Sequence, residues 1–302
     1  MHYTIPQLQA LDRRYPTERK LLLVPSVNFG RELLGALARK NGAWVGWEVA
    51  TLGTIAQQLS IVPLAAQRLR RGSDVAIADT INAAFDGAIA AGEVTGSLAA
   101  LFWSAGARTA VIDALLELRM ASVTPTQLLA AAGTGGTSGP AQSLAAILTR
   151  FQRLLAERGL ADTGEVFAAA VQAFPSQAAF ALDHALIVAT PGWAVRGAGR
   201  QLFMRLVQHG LQVLRPCGFR HLVKPEGLVE DLAAPVEISG EIEAVTSTAA
   251  MFYAGTTADE LREVLRRAVT GGYGLDEIEI SCTERDEYGA ILESLCTQIG
   301  AN

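Results

Sequence analysis

The stretch KLLLVPSVNFGRELLGALARKNGAWVGWEVATLGTIAQQL, residues 20–59, decides the fold. Lys20 opens a run of four apolar residues, Leu21 to Val24, which Pro25 ends. So short a run with no polar alternation reads as a strand buried on both faces, as parallel strands are. From about Asn28 the period changes. Phe29, Leu33, Leu34 and Leu37 recur at helical spacing, and the pattern stops before Asn41 and Gly42. Trp47 to Ala50 reads as a second short strand. It runs into Thr51 to Thr54, after which Ile55 and Leu59 mark another helix. This β-α-β-α order is the signature of an open parallel sheet, so the expected class is α/β.

Outward from this opening, residues 63–174 are Ala-rich and helical in period, with breaks near Gly72, Gly92 and Gly106 and in the Gly-rich stretch 133–140. No strand is expected there, and the segment reads as a helical insertion between strands of one sheet. The sheet resumes at residues 185–190 (ALIVAT). A helix from about Gly199 to His209 buries Leu202, Phe203, Leu206 and Val207, and Leu211 to Leu214 gives a further strand. A Pro-containing linker or strand follows to about Ser239. Met251 to Ala254 then reads as a strand, and Thr257 with Glu260 as a capping box. Leu261, Val264, Leu265, Ala268 and Val269 mark the helical face that follows, which Gly271 and Gly272 end. Ile278, Ile280 and Cys282 alternate as a strand, and Tyr288, Ile291, Leu292 and Leu295 mark a last helix. The expected organisation is a first domain made of 1–62 and 180–245, a helical insertion 63–179, and the start of a second α/β domain at 246–302. That second domain is expected to be truncated, because the chain stops where a β-α unit passes into its next strand.

Composition narrows the classes. Of 302 residues, 50% are hydrophobic and 18% charged, which suits a globular chain. A net charge of −5 argues against a free-standing, generally basic nucleic-acid binder, so any such contact must use a local groove or a complex. Lys occurs only at Lys20, Lys40 and Lys224. Cys217, Cys282 and Cys296 are widely spaced, which suits reduced thiols in a cytoplasmic protein. No apolar run approaches a bilayer-spanning length, so no membrane partner is expected.

Motifs for chemistry are missing. His2, His184, His209 and His221 show no ligand spacing. Asp183-His184 reads as a surface turn. Glu18-Arg19-Lys20 spells a nuclease-like Glu-x-Lys, but it precedes the first strand. The Gly-rich stretch 133–139 follows a helix instead of a strand and lacks a Gly-Lys-Ser/Thr ending, so it reads as a helix–helix loop. Gly197 to Gly199 lies between a strand and a helix but lacks the third Gly and the downstream acid of a dinucleotide site. Neither a catalytic residue nor a metal or cofactor is expected.

Three segments together resemble one family. Residues 24–33 (VPSVNFGREL) look like the strand and helix after the ATP-binding strand in UvrD/Rep-type superfamily 1 helicases, closest to the B subunit of AddAB-type helicase–nucleases, which often reads VPTRRAAREL. Residues 49–59 resemble that family's next strand, whose Thr-bearing end approaches the DNA backbone. Residues 251–300 resemble the start of its second RecA-like domain, through Phe252, Ala254, Glu260, Arg262, Glu263, Val264, Arg266, Asp276, Ile278, Ile280, Tyr288, Ile299 and Gly300. The resemblance implies a RecA-like, P-loop NTPase-like parallel sheet with a large helical insertion, followed by the start of a second RecA-like domain. Active members begin with a strand and a GxxGxGKT loop, for which nothing before Leu21 fits. They also carry Asp-Glu after a later strand, where this chain has Thr190-Pro191-Gly192-Trp193. Without those groups the phosphoryl-transfer machinery cannot assemble. The resemblance therefore implies a non-catalytic, AddB-like region in DNA recombination and repair, holding single-stranded or forked DNA and supporting a motor helicase–nuclease subunit. Carried over by position, the DNA contacts are Ser26, Asn28, Arg31, Thr51 and Thr54, although Val27 and Asn28 replace two basic residues. Trp44, Trp47 and Trp193 are candidates for stacking on bases. Two other readings stand beside this one: a nucleotide- or small-molecule-binding α/β enzyme using Gly197 to Gly199, and a structural subunit that binds protein alone.

Overall fold

The computed structural model describes residues 4–100, 103–133, 138–215, 227–237, 251–274, 277–282 and 285–298. The chain divides into two compact units, 1–243 and 244–302.

The first unit is built on β1 (Lys20–Leu23), β2 (Trp47–Ala50), β5 (Leu186–Ala189) and β6 (Gln212–Val213), all parallel and in the order β2-β1-β5-β6. Every residue of β1 and β5 is buried, as expected of strands that helices cover on both faces. Alternate side chains feed two cores. Leu22, Val24, Leu186 and Val188 meet Leu33, Leu34 and Leu37 of α2 (Val27–Asn41), together with Ile5, Leu8 and Leu11 of α1 (Thr4–Arg14). Leu21, Leu23, Ile187 and Ala189 meet α3 (Leu52–Ala66), α9 (Thr163–Ala181) and α10 (Gly197–Gln208) on the other face. Opposite faces are what right-handed crossovers require here, because β1→β2 and β5→β6 run in opposite directions along the sheet.

Between β2 and β5 the chain is helical, with α4 (Asp74–Ala90), α5 (Gly96–Ala100), α6 (Ala105–Met120), α7 (Pro125–Gly133) and α8 (Ser138–Glu157). Ile81, Phe85, Leu115, Leu148 and Phe151 form a third core within this layer. Contrary to the expectation of no strand there, β3 (Arg70–Arg71) and β4 (Leu160–Ala161) form a two-residue parallel pair. Two residues are too few for any periodicity to show. α3 also runs through Pro63 to bury Leu64, so the helical layer does not begin at that proline. α1, which the sequence reading left unassigned, caps the sheet. Gln7 is fully buried, donates to the Arg215 carbonyl (3.2 Å) and accepts from the Arg215 amide (2.6 Å).

The helical layer is joined to the rest by the C-terminus of α6. Arg119 forks onto Asp162 (Nε to Oδ2, 2.7 Å) and reaches Glu165 (2.9 Å), and Asp162 also caps α9 by accepting from the Glu165 amide. Burial works against the Arg119 charge, but the hydrogen bonds and charges of Asp162 and Glu165 outweigh it and hold the guanidinium above its ordinary pKa. Next along the chain, the Met120 carbonyl presses on Gly197, where φ is 51° and a Cβ would lie 2.2 Å from that oxygen.

At the lower edge of the sheet, Asp183-His184 is more than a surface turn. The His184 side chain is 3% exposed and its Nε2 lies 3.1 Å from Glu48, which Arg19 also contacts at 3.3 Å.

In the second unit, α11 (Thr257–Thr270) and α12 (Arg285–Gln298) are present. The N-cap is Thr256, whose hydroxyl accepts from the Asp259 amide, and not Thr257 with Glu260 as the capping-box pattern implied. The two expected strands do not form. Residues 251–254 and 278–282 have no regular secondary structure, and a strand needs a partner to satisfy its backbone groups. Leu261 and Leu295 are the buried hydrophobics among the described residues of this unit, while Met251, Tyr253 and Val269 are exposed. Asp276, Ile299 and Gly300 lie outside the described residues, as do His2, Cys217, Thr134–Thr137, His221 and much of the stretch leading to Ser239.

Two predictions follow from these contacts. Gly197→Ala is expected to destabilise the protein by about 2–3 kcal/mol in chemical denaturation, because both the clash and the positive φ oppose it. Gly199→Ala is the control: its Cβ would meet ordinary contacts at 3.7 Å or more within a helix, so stability is expected to hold or rise. The hydrogen bond from His184 lowers the Glu48 pKa below 4.5 against a smaller opposing effect of burial, with the His184 charge and Arg19 adding to the lowering. A depressed folded-state pKa stabilises above the ordinary value and stops doing so as pH falls through the folded one. The melting-temperature gap between wild type and Glu48→Gln is therefore expected to be present at pH 7 and to shrink progressively as pH falls below the ordinary carboxylate range.

Candidate nucleic-acid interface

The carboxyl ends of β2, β1 and β5 form one edge of the sheet. β1 and β2 are in register, with Leu23 opposite Ala50, and neighbouring strands lie about 4.8 Å apart. Pro25 then turns the chain into α2, and Ser26 is its N-cap, accepting from the Phe29 amide at 3.3 Å. On the adjacent strand, Thr51 caps α3, accepting from the Thr54 amide at 3.1 Å and sharing a 2.9 Å hydrogen bond with the Thr54 hydroxyl. Two helix N-termini therefore start side by side. Tight packing holds the first of them down: a Cβ on Gly30 would lie 2.3 Å from Val49 Cγ1 and 3.1 Å from Val24.

The structure thus brings Ser26, Asn28, Thr51 and Thr54 to one edge. Ser26 and Asn28 are exposed, and Thr51 and Thr54 are half-buried. Arg31, also exposed, lies one turn further along α2 and makes no ion pair among the described residues.

Between β1 and β5 the connections leave in opposite directions, one to each face. This is a topological switch point, where open α/β sheets place their ligand crevice. Thr190 follows β5 at this point, 1% exposed, and its hydroxyl has no hydrogen-bond partner among the described residues. The loop after it is pinned. The Trp193 indole donates to the Thr190 carbonyl at 2.7 Å and stands edge-on to Phe203, and the Gly192 amide donates to Glu230 at 3.1 Å. The sequence reading marked Thr190 as the place of a missing acid, but it did not anticipate a buried, unpartnered hydroxyl or the role of Glu230. Glu230 comes from a segment some forty residues later, so no local signal could connect the two.

Chemically, this edge offers hydroxyls and first-turn amides, which suit an anion at a helix N-terminus. Residues 24–28, 51–54 and 190–193 contain no Lys, His or carboxylate. Glu230, the acid that reaches the edge, is engaged with the Gly192 amide. No group of His, Cys, Asp or Glu suited to a metal occurs among the described residues. Among the described residues, the groups gathered at this edge are hydroxyls and backbone amides, with no cluster suited to hold a metal ion.

The three tryptophans separate. Trp47 is 6% exposed and donates to Asp12 at 2.9 Å, so it belongs to the core. Trp193 is half-buried and engaged as above. Trp44 is exposed, but at the opposite edge of the sheet, just before β2. Gly197 to Gly199, expected as a loop before the helix, instead form the first turn of α10, and the space a side chain would take at Gly197 is occupied by the Met120 carbonyl.

No helix among the described residues is long and apolar enough to cross a membrane. Compared with models of known protein families and with curated proteins, the chain matches none.

Proposed function

We propose that this chain is a non-catalytic, helicase-like region that holds DNA or scaffolds a partner within a recombination and repair helicase–nuclease. The observation that carries the reading is the carboxyl edge of the parallel sheet. Two capped helix N-termini and a buried hydroxyl gather there, with none of the residues that hydrolyse a nucleoside triphosphate. The RecA-like assignment, the second RecA-like domain and the motor partner belong to the same reading. They rest on the sequence resemblance together with a four-stranded parallel sheet interrupted by a helical layer. The Gly197 to Gly199 alternative is weakened because these residues form the first turn of α10 and the Met120 carbonyl lies against Gly197.

Ser26→Asp and Thr51→Asp test the edge directly. Asp is as good an N-cap as Ser, so folding is kept while a negative charge is set against phosphate. Fluorescence anisotropy with a labelled single-stranded oligodeoxynucleotide at low salt is expected to show binding by wild type and loss of affinity in both variants. Val27→Arg with Asn28→Arg is expected to tighten binding and steepen its salt dependence. Magnesium ATP is expected to give neither hydrolysis nor a rise in melting temperature. Wild-type protein that binds no DNA at low salt, alone or with its motor partner, overturns the DNA role and leaves a protein-binding scaffold.

A further inference from the structure

We infer that a second single-strand contact lies at the opposite edge of the sheet, in the groove where α1 and α2 end. It extends the DNA-holding reading above to a separate surface. The groove measures about 490 Å³ and is lined by Asp12, Arg13, Lys40, Asn41, Trp44 and Val45 among others. That volume is in the range of small-ligand sites.

Three observations point to a single-stranded nucleic acid. First, Trp44 is 37% exposed and Val45 57% at this groove, whereas the neighbouring Trp47 is buried; Trp103, 71% exposed, lies elsewhere, between α5 and α6. An indole left at the mouth of a groove offers a stacking face to any base. The loop that carries it is pinned to the sheet by the Lys20 amide donating to the Gly46 carbonyl at 2.7 Å, and Gly46 at φ 75° lets that strand approach Glu18 closely.

Second, the groove has surplus positive charge. The last turns of α1 and α2 carry Arg13 and Arg14, and Arg39 and Lys40. The plain reading is that these cations complement two helix C-termini, but each terminus is equivalent to only about half a negative charge. Even with the exposed carboxylate of Glu18 counted, the four cations outnumber what the helix ends supply.

Third, the acid inside the groove is already neutralised. Asp12 takes the Trp47 indole N–H at 2.9 Å and the Asn41 amide at 3.4 Å, and the buried Lys20 ammonium lies 3.5 Å away. Arg13 and Lys40 are exposed and form no ion pair among the described residues. Phosphates on Arg13 and Lys40 with a base on Trp44 match this distribution. An acidic protein surface would satisfy the cations but leave the indole unused.

The experiment titrates full-length protein with an unlabelled 15-nucleotide oligothymidylate, reading tryptophan fluorescence, and in parallel a labelled one, reading anisotropy. Wild type is expected to show quenching that disappears in Trp44→Ala, whose affinity falls about tenfold. Arg13→Gln with Lys40→Gln is expected to lower the salt slope by about 1.4, the value for two contacts to a single strand. Trp44→Phe, which keeps an aromatic face, is expected to retain most of the affinity and guards against a folding defect. Oligouridylate in place of oligothymidylate separates RNA from DNA as the source of the strand. The two edges fail separately. Binding that is weakened by Ser26→Asp and Thr51→Asp but unchanged by the Trp44, Arg13 and Lys40 variants overturns the groove and leaves the carboxyl edge standing. The reverse pattern overturns the carboxyl edge alone, and no binding of either oligonucleotide overturns both.

Discussion

The central strand Lys20–Leu23 is hydrogen-bonded to a parallel neighbour on each side and buried on both faces, and the rest of the first unit answers that condition. Each leucine taken fully out of water contributes roughly 1.5–3 kcal/mol, but only if apolar surface covers it on its own side of the sheet. Hence α1 and α2 cover one face and α3, α9 and α10 the other. The strand also begins with a fully buried lysine. An ammonium taken from water costs several kcal/mol unless it is paired and hydrogen-bonded. Here the Tyr15 carbonyl accepts from it, Asp12 lies 3.5 Å away and the Trp47 ring 5.4 Å from its centroid. The lysine thereby ties α1 to β1 and β2, and holds Asp12, which lines the groove beside Trp44.

The same economy of space governs the upper part of the unit. Backbone carbonyls at the end of α6 press against glycines that begin α9 and α10: a Cβ on Gly164 would lie 2.7 Å from the Arg119 carbonyl, and one on Gly197 would lie 2.2 Å from that of Met120. A helix C-terminus set against two helix N-termini is also electrostatically favourable. The contact explains why Gly197 and Gly199 lie where a nucleotide-binding protein would have a phosphate loop without forming one. The glycines admit protein instead of ligand. At the carboxyl ends of β1 and β2, by contrast, Ser26 and Asn28 are exposed and Thr51 and Thr54 half-buried.

Much of this was legible in residues 20–59, where strand, helix, strand and helix follow from runs and periods of a few residues. Trp47–Ala50 falls at the position read from the sequence, and α2 starts one residue earlier than its periodicity implied. α1 was not read, although Ile5, Leu8 and Leu11 have helical spacing, because so short a pattern near the chain start carries little weight alone. The differences over strands share one cause. Met251 to Ala254 is a short apolar run and Ile278 to Cys282 alternates as strands do, yet neither forms a strand, because a local pattern states a preference and a ladder needs a neighbour. The β3–β4 pair is the converse, two residues with no pattern made into strands by meeting each other.

The α/β class and the helical layer in its middle were legible in the residues alone, since these depend on composition and period. Only the tertiary structure decided which side chains meet. Thr190 became a buried hydroxyl at the switch point because β1 and β5 are neighbours, though they are more than 160 residues apart. Trp47 and Trp44, three residues apart, were divided between core and groove by the direction each faces at the start of β2. Arg13 and Lys40 became a pair because two helices end at the same corner. Proximity of this kind follows from strand order and helix packing, which no local window of residues contains.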